Sequence, residues 1–501
     1  MAAPEISQSR LYEWLTGDED SRMCKDIPDE ACDEQPRNFF LHLVASLGNK
    51  LADELSSARL VLPWLMGVIG APLWMVGLLV PIREAGALLP QLFVAGFIRL
   101  RPERKWAWVA GGLLQAVAAA LLALLALFGT GGVGGGLVLL VLVALSLARG
   151  LSSVATKDVL GKTISKQRRG TLMGWSGSVA GAVTLAAGAV LMLFGDRPGE
   201  LALAVLLGIA ALGWTLNALC AARIAETPGA VGGGENAWNS IRLGLRLLRE
   251  DRGFLHFNLS RALLLASALA LPYVALLGQQ QSGTELGGLG VLIVVSGLAG
   301  MVASPVWGKR ADVSSRRVMR DAGLGAAACC LLAAAIAWLP GAWSQTVWPY
   351  AVVYALLVII HSGVRLGRKT YIVDMAGSDR RALYVALSNT ITGVLMLAVG
   401  GAVGALAQWL GSAVLMVVLA LMALAAAASG CASRSTSTCS AWSSIACFWS
   451  LRPYCQLPSA VNRTMAASAS AQPNSRVAPR LTPGAPAAAI MNGSPLRSRS
   501  R

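Results

Sequence analysis

Long stretches without an ionisable side chain recur along this chain, and they restrict the fold more than any other feature. Leu113–Phe128 and Gly135–Leu147 carry no charge at all. A helix needs ~20 mostly apolar residues to cross a bilayer, and segments of that kind recur about twelve times. The first six are 38–66, 71–98, 106–128, 134–157, 170–194 and 200–223. The second six are 253–278, 285–307, 318–340, 346–366, 382–409 and 411–430. Lipid offers the backbone no hydrogen bonds, so segments that cross it close their own ladders as helices. The chain therefore reads as an all-α membrane protein with about twelve transmembrane helices. Only 14 % of its residues are charged, against roughly 25 % in soluble domains. Its 54 glycines suit close helix contact in lipid.

The charges fall between the spans and alternate from one side to the other. With the N-terminus placed in the cytoplasm, the 2–3 connection carries Arg99, Arg101, Arg104 and Lys105, and the 4–5 connection Lys157, Lys162, Lys166, Arg168 and Arg169. Cations recur in the central loop and in the 8–9 and 10–11 connections, whereas the opposite loops offer Arg197 alone. This is the positive-inside pattern. It places both termini in the cytoplasm of a cell (inner or plasma) membrane protein. It also accounts for the net charge of +16 without nucleic acid. Residues 1–37 read as a disordered acidic tail, with no apolar leader segment. Residues 38–225 form the N-terminal half, 226–252 a Gly-rich cytoplasmic linker, and 253–430 the C-terminal half. No Cys-x-x-Cys pair is present, so no metal or cofactor is expected.

The two halves repeat one another. Gly96 with Arg104-Lys105 recurs as Gly308 with Arg316-Arg317, an offset of 308 − 96 = 212. Arg168-Arg169 recurs as Arg380-Arg381 and Ser176 as Ser388, again at 212, and Leu62-Pro63 recurs as Leu271-Pro272 after a three-residue slip. One offset across separate loops implies two six-helix pseudo-symmetric halves, and it pairs the charged first span with the seventh. Parallel repeats of this kind place a substrate site at their interface.

The sequence Gly308-Lys309-Arg310-Ala311-Asp312-Val313-Ser314-Ser315-Arg316-Arg317 resembles the signature loop of the major facilitator superfamily, G-x-x-x-D-R-x-G-R-R. Gly308, Asp312, Arg316 and Arg317 match, while Val313 and Ser315 depart from it. The first copy keeps Gly96, Arg104 and Lys105 but has Leu100 where the acid belongs. The resemblance implies a secondary transporter that moves a small solute by alternating access, commonly driven by protons. Asp312 is expected to pair with Arg365 or Arg368 and hold one state closed; the plainer reading leaves Arg316 and Arg317 a topological role only. The alternative to transport is a membrane sensor or scaffold on a transporter fold.

Ionisable residues within spans mark candidate sites. Asp53 and Glu54 lie on the first span, with Lys50 placed to neutralise Glu54 at the i,i+4 spacing; a carboxylate here is a candidate proton carrier. Arg83 and Glu84 are neighbours on different faces of the second span, Glu84 within reach of Lys50 or Arg59. Arg149 maps onto His361 (361 − 149 = 212), and Arg261 lies in the seventh span. Either arginine suits an anionic group. Each has a structural alternative, as an internal salt bridge or a packed histidine. Gln91, Gln115, Asn217, Asn258, Asn389 and Gln408 are polar lining candidates, and Trp64, Trp74, Trp343 and Trp348 are placed in an interfacial belt. Gly161-Lys162-Thr163 lacks the upstream glycine of a phosphate loop, and no enzyme signature stands out. A monomer is expected. Residues 431–501 hold eight Arg but no Asp, Glu or Lys. They read either as a basic tail drawn to anionic lipid or as a reading-frame artefact, the second being preferred.

Overall fold

The structure, a computed structural model, describes residues 27, 29–89, 94, 98, 101–193, 199–228, 246, 251–282, 286–339, 341, 343–375 and 381–431. The N-terminal helices are α1 (Asp29–Asp33), α2 (Gln35–Leu55), α3 (Val61–Val68), α4 (Leu73–Leu88), α5 (Lys105–Phe128), α6 (Gly131–Thr163), α7 (Lys166–Leu193) and α8 (Gly199–Arg223). The C-terminal helices are α9 (Arg252–Leu263), α10 (Ala266–Ser282), α11 (Leu286–Val313), α12 (Ser315–Trp338), α13 (Val347–Met375) and α14 (Arg381–Cys431). Among the described residues there is no strand, and eight helical segments are long and apolar enough to cross a membrane. Helix α5 shows why lipid is the right solvent. Leu114, Val117, Leu121 and Leu124 on one face are exposed, while Gly111, Gln115, Ala119 and Leu122 on the other are buried. An exposed leucine stripe is untenable in water and is the lipid face of a spanning helix.

Three breaks shape the bundle. The first span, expected to be continuous over 38–66, divides into α2 and α3 at residues 56–60. The Ser56 hydroxyl donates back to the Ala52 carbonyl at 2.7 Å, and Leu60 leaves helical geometry at φ −134°. Pro63 opens the next helix, where its missing N–H is harmless. The seventh span, expected over 253–278, likewise divides into α9 and α10 at Leu264–Leu265. The third break was expected from sequence: Gly411, at φ 77°, separates two helices within α14, a conformation that suits only a residue without Cβ. Helix also reaches into the N-terminal tail, where α1 and the start of α2 occupy residues read as disordered. Residues 1–26 and 432–501 lie outside the described residues.

Helices α2, α5, α6 and α8 pack mainly within the N-terminal group and α9, α10, α12 and α13 within the C-terminal group, whereas α4 and α7 pack most heavily across to the C-terminal group. The groups meet where α4 packs on α14, α7 on α11 and α3 on α10. At the offset of 212, α4 falls on α11 and α7 on α14, so the first two contacts are one contact made twice. Both use glycine. A Cβ on Gly77 of α4 would lie 2.5 Å from the Gly404 Cα of α14, and one on Gly290 of α11 would lie 2.8 Å from the Gly188 carbonyl oxygen of α7. Gln279 of α10 donates to the Trp64 carbonyl of α3 at 2.9 Å. All three contacts lie toward the cation-poor end of the bundle.

Candidate functional site

The two broken spans meet at one place. Arg59 from the first break and Leu264 and Leu265 from the second line a cavity of about 470 Å3, solvent space included. Glu84, Arg261, His361 and Arg368 also face it, with an apolar wall of Leu88, Val364 and Met396. Irregular backbone at membrane depth is tolerated where it lines such a cavity.

On the N-terminal side the charges answer one another. Asp53 of α2 takes Arg83 of α4, and its Oδ1 also accepts from Nη1 of Arg149 of α6 at 2.7 Å. Glu84 accepts from the Arg59 Nη2 at 2.8 Å. Arg83 and Glu84 thus point to separate partners, because successive helical side chains diverge. Arg83 is 6 % exposed, so it is committed to Asp53. Lys50 does not neutralise Glu54 as expected. Its Nζ donates to the Ser176 hydroxyl of α7 at 2.9 Å, which leaves Glu54 exposed and without an ion pair among the described residues.

On the C-terminal side the cations meet dipoles. Arg261 of α9 donates to Ser388 Oγ at 2.6 Å and Asn389 Oδ1 at 3.1 Å, both on α14. The Ser388 hydroxyl in turn donates to Asn258 Oδ1 at 2.8 Å. The buried Arg261 Nε and His361 Nε2 have no hydrogen-bond partner; His361 Nδ1 meets Ser267 Oγ at 3.1 Å. Arg365 and Arg368 of α13 form no hydrogen bond or ion pair among the described residues, and both lie within electrostatic reach of Glu84. The repeat is visible in atoms: Lys50 on Ser176 and Arg261 on Ser388 are equivalent contacts (261 − 50 = 211; 388 − 176 = 212). At the same spacing Asp53 and Glu54 give way to Leu264 and Leu265 (264 − 53 = 211).

At the basic end the first motif copy has acids that sequence reasoning missed. Arg104 pairs with Asp158 of α6. The Arg104 and Lys105 backbone amides, at the start of α5, donate to the Glu226 carboxylate at 2.9 and 2.7 Å, and Lys162 reaches it at 2.8 Å. A carboxylate on a helix N-terminus is favoured by the helix dipole. Glu226 lies far along the chain from Leu100, and no local pattern points to it. In the second copy Arg316 lies over the Tyr371 ring, 5.2 Å from its centroid, and the Arg317 amide donates to the Ser314 hydroxyl at 3.4 Å. A Cβ on Gly308 would meet no described atom within 4 Å. Gln91, Gly96 and the side chain of Asp312, with its expected partnership to Arg365 or Arg368, lie outside the described residues. Gln115 donates to its own helix at Gly111, and Asn217 joins Trp108 to the Ala45 carbonyl. Trp64 is fully buried and not part of the interfacial belt, whereas Trp74, Trp343 and Trp348 are exposed.

The profile of the Major Facilitator Superfamily matches residues 39–394. The chain belongs to this superfamily. This major facilitator protein is a multi-pass membrane protein. It is 26 % identical over 412 residues to an uncharacterized protein of Mycobacterium tuberculosis, covering 79 % of this chain and 77 % of the relative, and to an uncharacterized protein of Mycobacterium bovis to the same extent. Its fold is similar to that of the nucleoside transporter NupG (TM-score 0.60, 11 % identity, 79 % of this chain and 98 % of that one). It is also similar to a D-xylose–proton symporter (TM-score 0.56, 13 % identity, 77 % and 97 %). At such identities the likeness is one of fold.

Proposed function

We propose that this protein is a secondary active transporter. It moves a small solute across the cell membrane by alternating access, with both termini in the cytoplasm and protons as the coupling ion. The observation that carries this reading is the charged cavity where the two helix groups meet, beyond glycine contacts at the cation-poor end. A charged cavity between groups joined by two equivalent seams suits halves that rock about a central site. The nucleoside transporter and the D-xylose–proton symporter, whose folds this chain shares, support the same class of function.

Glu54 is the proposed proton carrier. It is the carboxylate of the cluster that is exposed and unpaired, so taking up a proton breaks no salt bridge. The second motif copy, Gly308 to Arg317, is the proposed latch at the basic end, with Asp312 on a cation of α13. Proteoliposomes loaded with a pH-sensitive dye test the reading. Adding a transported solute from a panel of sugars, organic acids, amino acids and nucleosides is expected to move protons with it, and Glu54→Gln to abolish the proton signal while solute binding persists. A folded protein that moves nothing in the panel would instead be a sensor or scaffold.

A further inference from the structure

Among the described residues the charges around the cavity do not sum to zero. Six arginines contribute: Arg59, Arg83, Arg149, Arg261, Arg365 and Arg368. Three carboxylates face them: Asp53, Glu54 and Glu84. The balance is +3 (6 − 3), without Lys50, in the part of a membrane protein where charge is most costly. The surplus is also one-sided. Asp53 and Glu84 spend their charge on Arg83, Arg149 and Arg59, all on the N-terminal side. Arg261, Arg365 and Arg368 share the C-terminal side, where the positions equivalent to Asp53 and Glu54 are leucines. Glu84 lies within electrostatic reach of Arg365 and Arg368 but is hydrogen-bonded to Arg59, so among the described residues these three cations form no ion pair with a carboxylate; such a cluster is unfavourable unless an anion joins it.

We propose that the cavity takes an organic anion with an apolar body, its acidic group held by Arg261 and Arg368 and its body against Leu264, Leu265, Val364 and Met396. Three features converge on this class. Among the described residues, Arg261, Arg365 and Arg368 form no ion pair with a carboxylate. The Arg261 Nε and His361 Nε2 are buried and unsatisfied at the cavity wall, and a buried polar atom without a partner is costly unless a ligand supplies one. The remaining wall is apolar, so a bare inorganic ion would leave it unfilled. A cationic solute meets the surplus as repulsion, and a neutral one leaves the arginines unanswered. The proposal rests on the cavity being the solute site of the transporter reading. The same chemistry belongs to soluble carboxylates and phosphate monoesters and to anionic phospholipids.

The test is thermal unfolding of the full-length protein in phosphatidylcholine nanodiscs. The probes are phenylbutyrate and phenyl phosphate, with phenylbutanamide and phenylbutylamine as neutral and cationic counterparts. The anions are expected to raise the midpoint and the amide and amine to leave it unchanged. Arg261→Gln and Arg368→Gln are each expected to weaken the anion effect about tenfold, the loss of one charged hydrogen bond. Arg368 makes no hydrogen bond or ion pair among the described residues, so its variant keeps the test valid if Arg261→Gln does not fold. Arg37→Gln, at an exposed residue paired with Glu34, removes a charge elsewhere and is expected to have no effect. Equal stabilisation by the amide or amine, no stabilisation by either anion, or unchanged binding in Arg368→Gln overturns the proposal. Nanodiscs containing phosphatidylglycerol assign the source. If lipid raises the wild-type midpoint, suppresses the phenylbutyrate effect and does neither in Arg368→Gln, the anion is a lipid headgroup; an intact phenylbutyrate effect makes it a soluble solute. Anion binding without flux would remove the transport reading alone, and flux of a neutral or cationic solute without anion binding would remove this one alone.

Discussion

Lys50 on Ser176 and Arg261 on Ser388 are one contact made twice, yet the residues that follow them differ in kind. After Lys50 come Asp53 and Glu54; after Arg261 come Leu264 and Leu265. The N-terminal helices therefore carry counter-ions for their own arginines, while the C-terminal helices hold Arg261 with hydroxyl and amide dipoles. A dipole holds an arginine in place without cancelling its charge, so the C-terminal side keeps a net attraction that the N-terminal side has largely consumed. Duplication supplied two equal frames, and substitution at two positions separated a self-neutralised half from a half with charge to spare.

The largest effect is expected where the self-neutralised side is broken. Asp53→Asn leaves Arg83 buried without a counter-charge and frees Arg149, and loss of one partner of a buried ion pair costs about 3–5 kcal/mol. Unfolding of the purified variant should show a loss of that order, partly restored by adding Arg83→Leu. A loss no larger than that of an exposed pair such as Arg37–Glu34 would mean that water already screens Asp53. Next in size is the glycine seam. Gly404→Val sets a side chain against the Trp74 carbonyl of α4. Overpacking of this kind costs about 1–3 kcal/mol, and parting the seam should raise thiol labelling of a cysteine placed at Gly401. Unchanged labelling would show that the seam does not close the cavity.

Smaller again is the second ion pair of the N-terminal side. Arg59 and Glu84, at 25 % and 35 % side-chain exposure, form a partly hydrated pair, and such pairs contribute up to about 1 kcal/mol. Glu84→Gln releases Arg59 to a bound anion. Phenylbutyrate should then bind up to about fivefold tighter, read from the concentration dependence of the unfolding midpoint. Weaker binding would place Glu84 in the solute site as a partner and not as a competing anion.

The spans were legible because hydropathy acts over ~20 residues and needs no knowledge of neighbours. The repeat was legible because loop charges keep their spacing. The ion pairs were less so. Lys50 and Glu54 have the right local spacing, but Ser176, distant in sequence, takes the lysine. Arg83 and Glu84 could be assigned to different faces, which is a property of one helix; the choice of Asp53 and Arg59 as partners depends on how three helices pack. The breaks at 56–60 and 264–265 were missed because the repeat carried the charged first span as one helix, and the seventh remains apolar enough to pass as continuous. Ser56-Ser57 ahead of Pro63 was the one available sign in the first, and the second shows no comparable sign. Glu226 and Asp158 were missed because an acid just outside a span is common, and only the fold brings them to Arg104. Trp64 was assigned to the interface by residue type, but its side chain turns into the bundle.

The smallest effect tests whether the C-terminal side is held together at its basic end by charge as well as by packing. Asp251 caps α9: its Oδ1 accepts from the Phe254 amide at 3.0 Å, and its Oδ2 accepts from the Tyr384 hydroxyl of α14 at 2.9 Å. The Phe254 amide first, and the Tyr384 hydroxyl after it, hold the carboxyl below its ordinary value of 3.8. A carboxyl whose pKa is lower folded than unfolded stabilises the fold fully above its ordinary value. That contribution is lost as pH falls through the depressed one. Asp251→Asn keeps an oxygen for the Phe254 amide but removes the charge at the helix N-terminus, at a cost of about 0.3–1 kcal/mol. At neutral pH the variant should therefore unfold slightly earlier than the wild type, and the gap should close as the pH is lowered past the ordinary carboxylate range. Equal midpoints at neutral pH would mean that the Asp251 charge contributes nothing there. A gap that persists in acid would assign the difference to the shape of the cap, leaving α9 and α14 joined by Phe254 stacked edge-on against Tyr384, ring centroids 4.9 Å apart, and by Arg261 on Ser388 and Asn389.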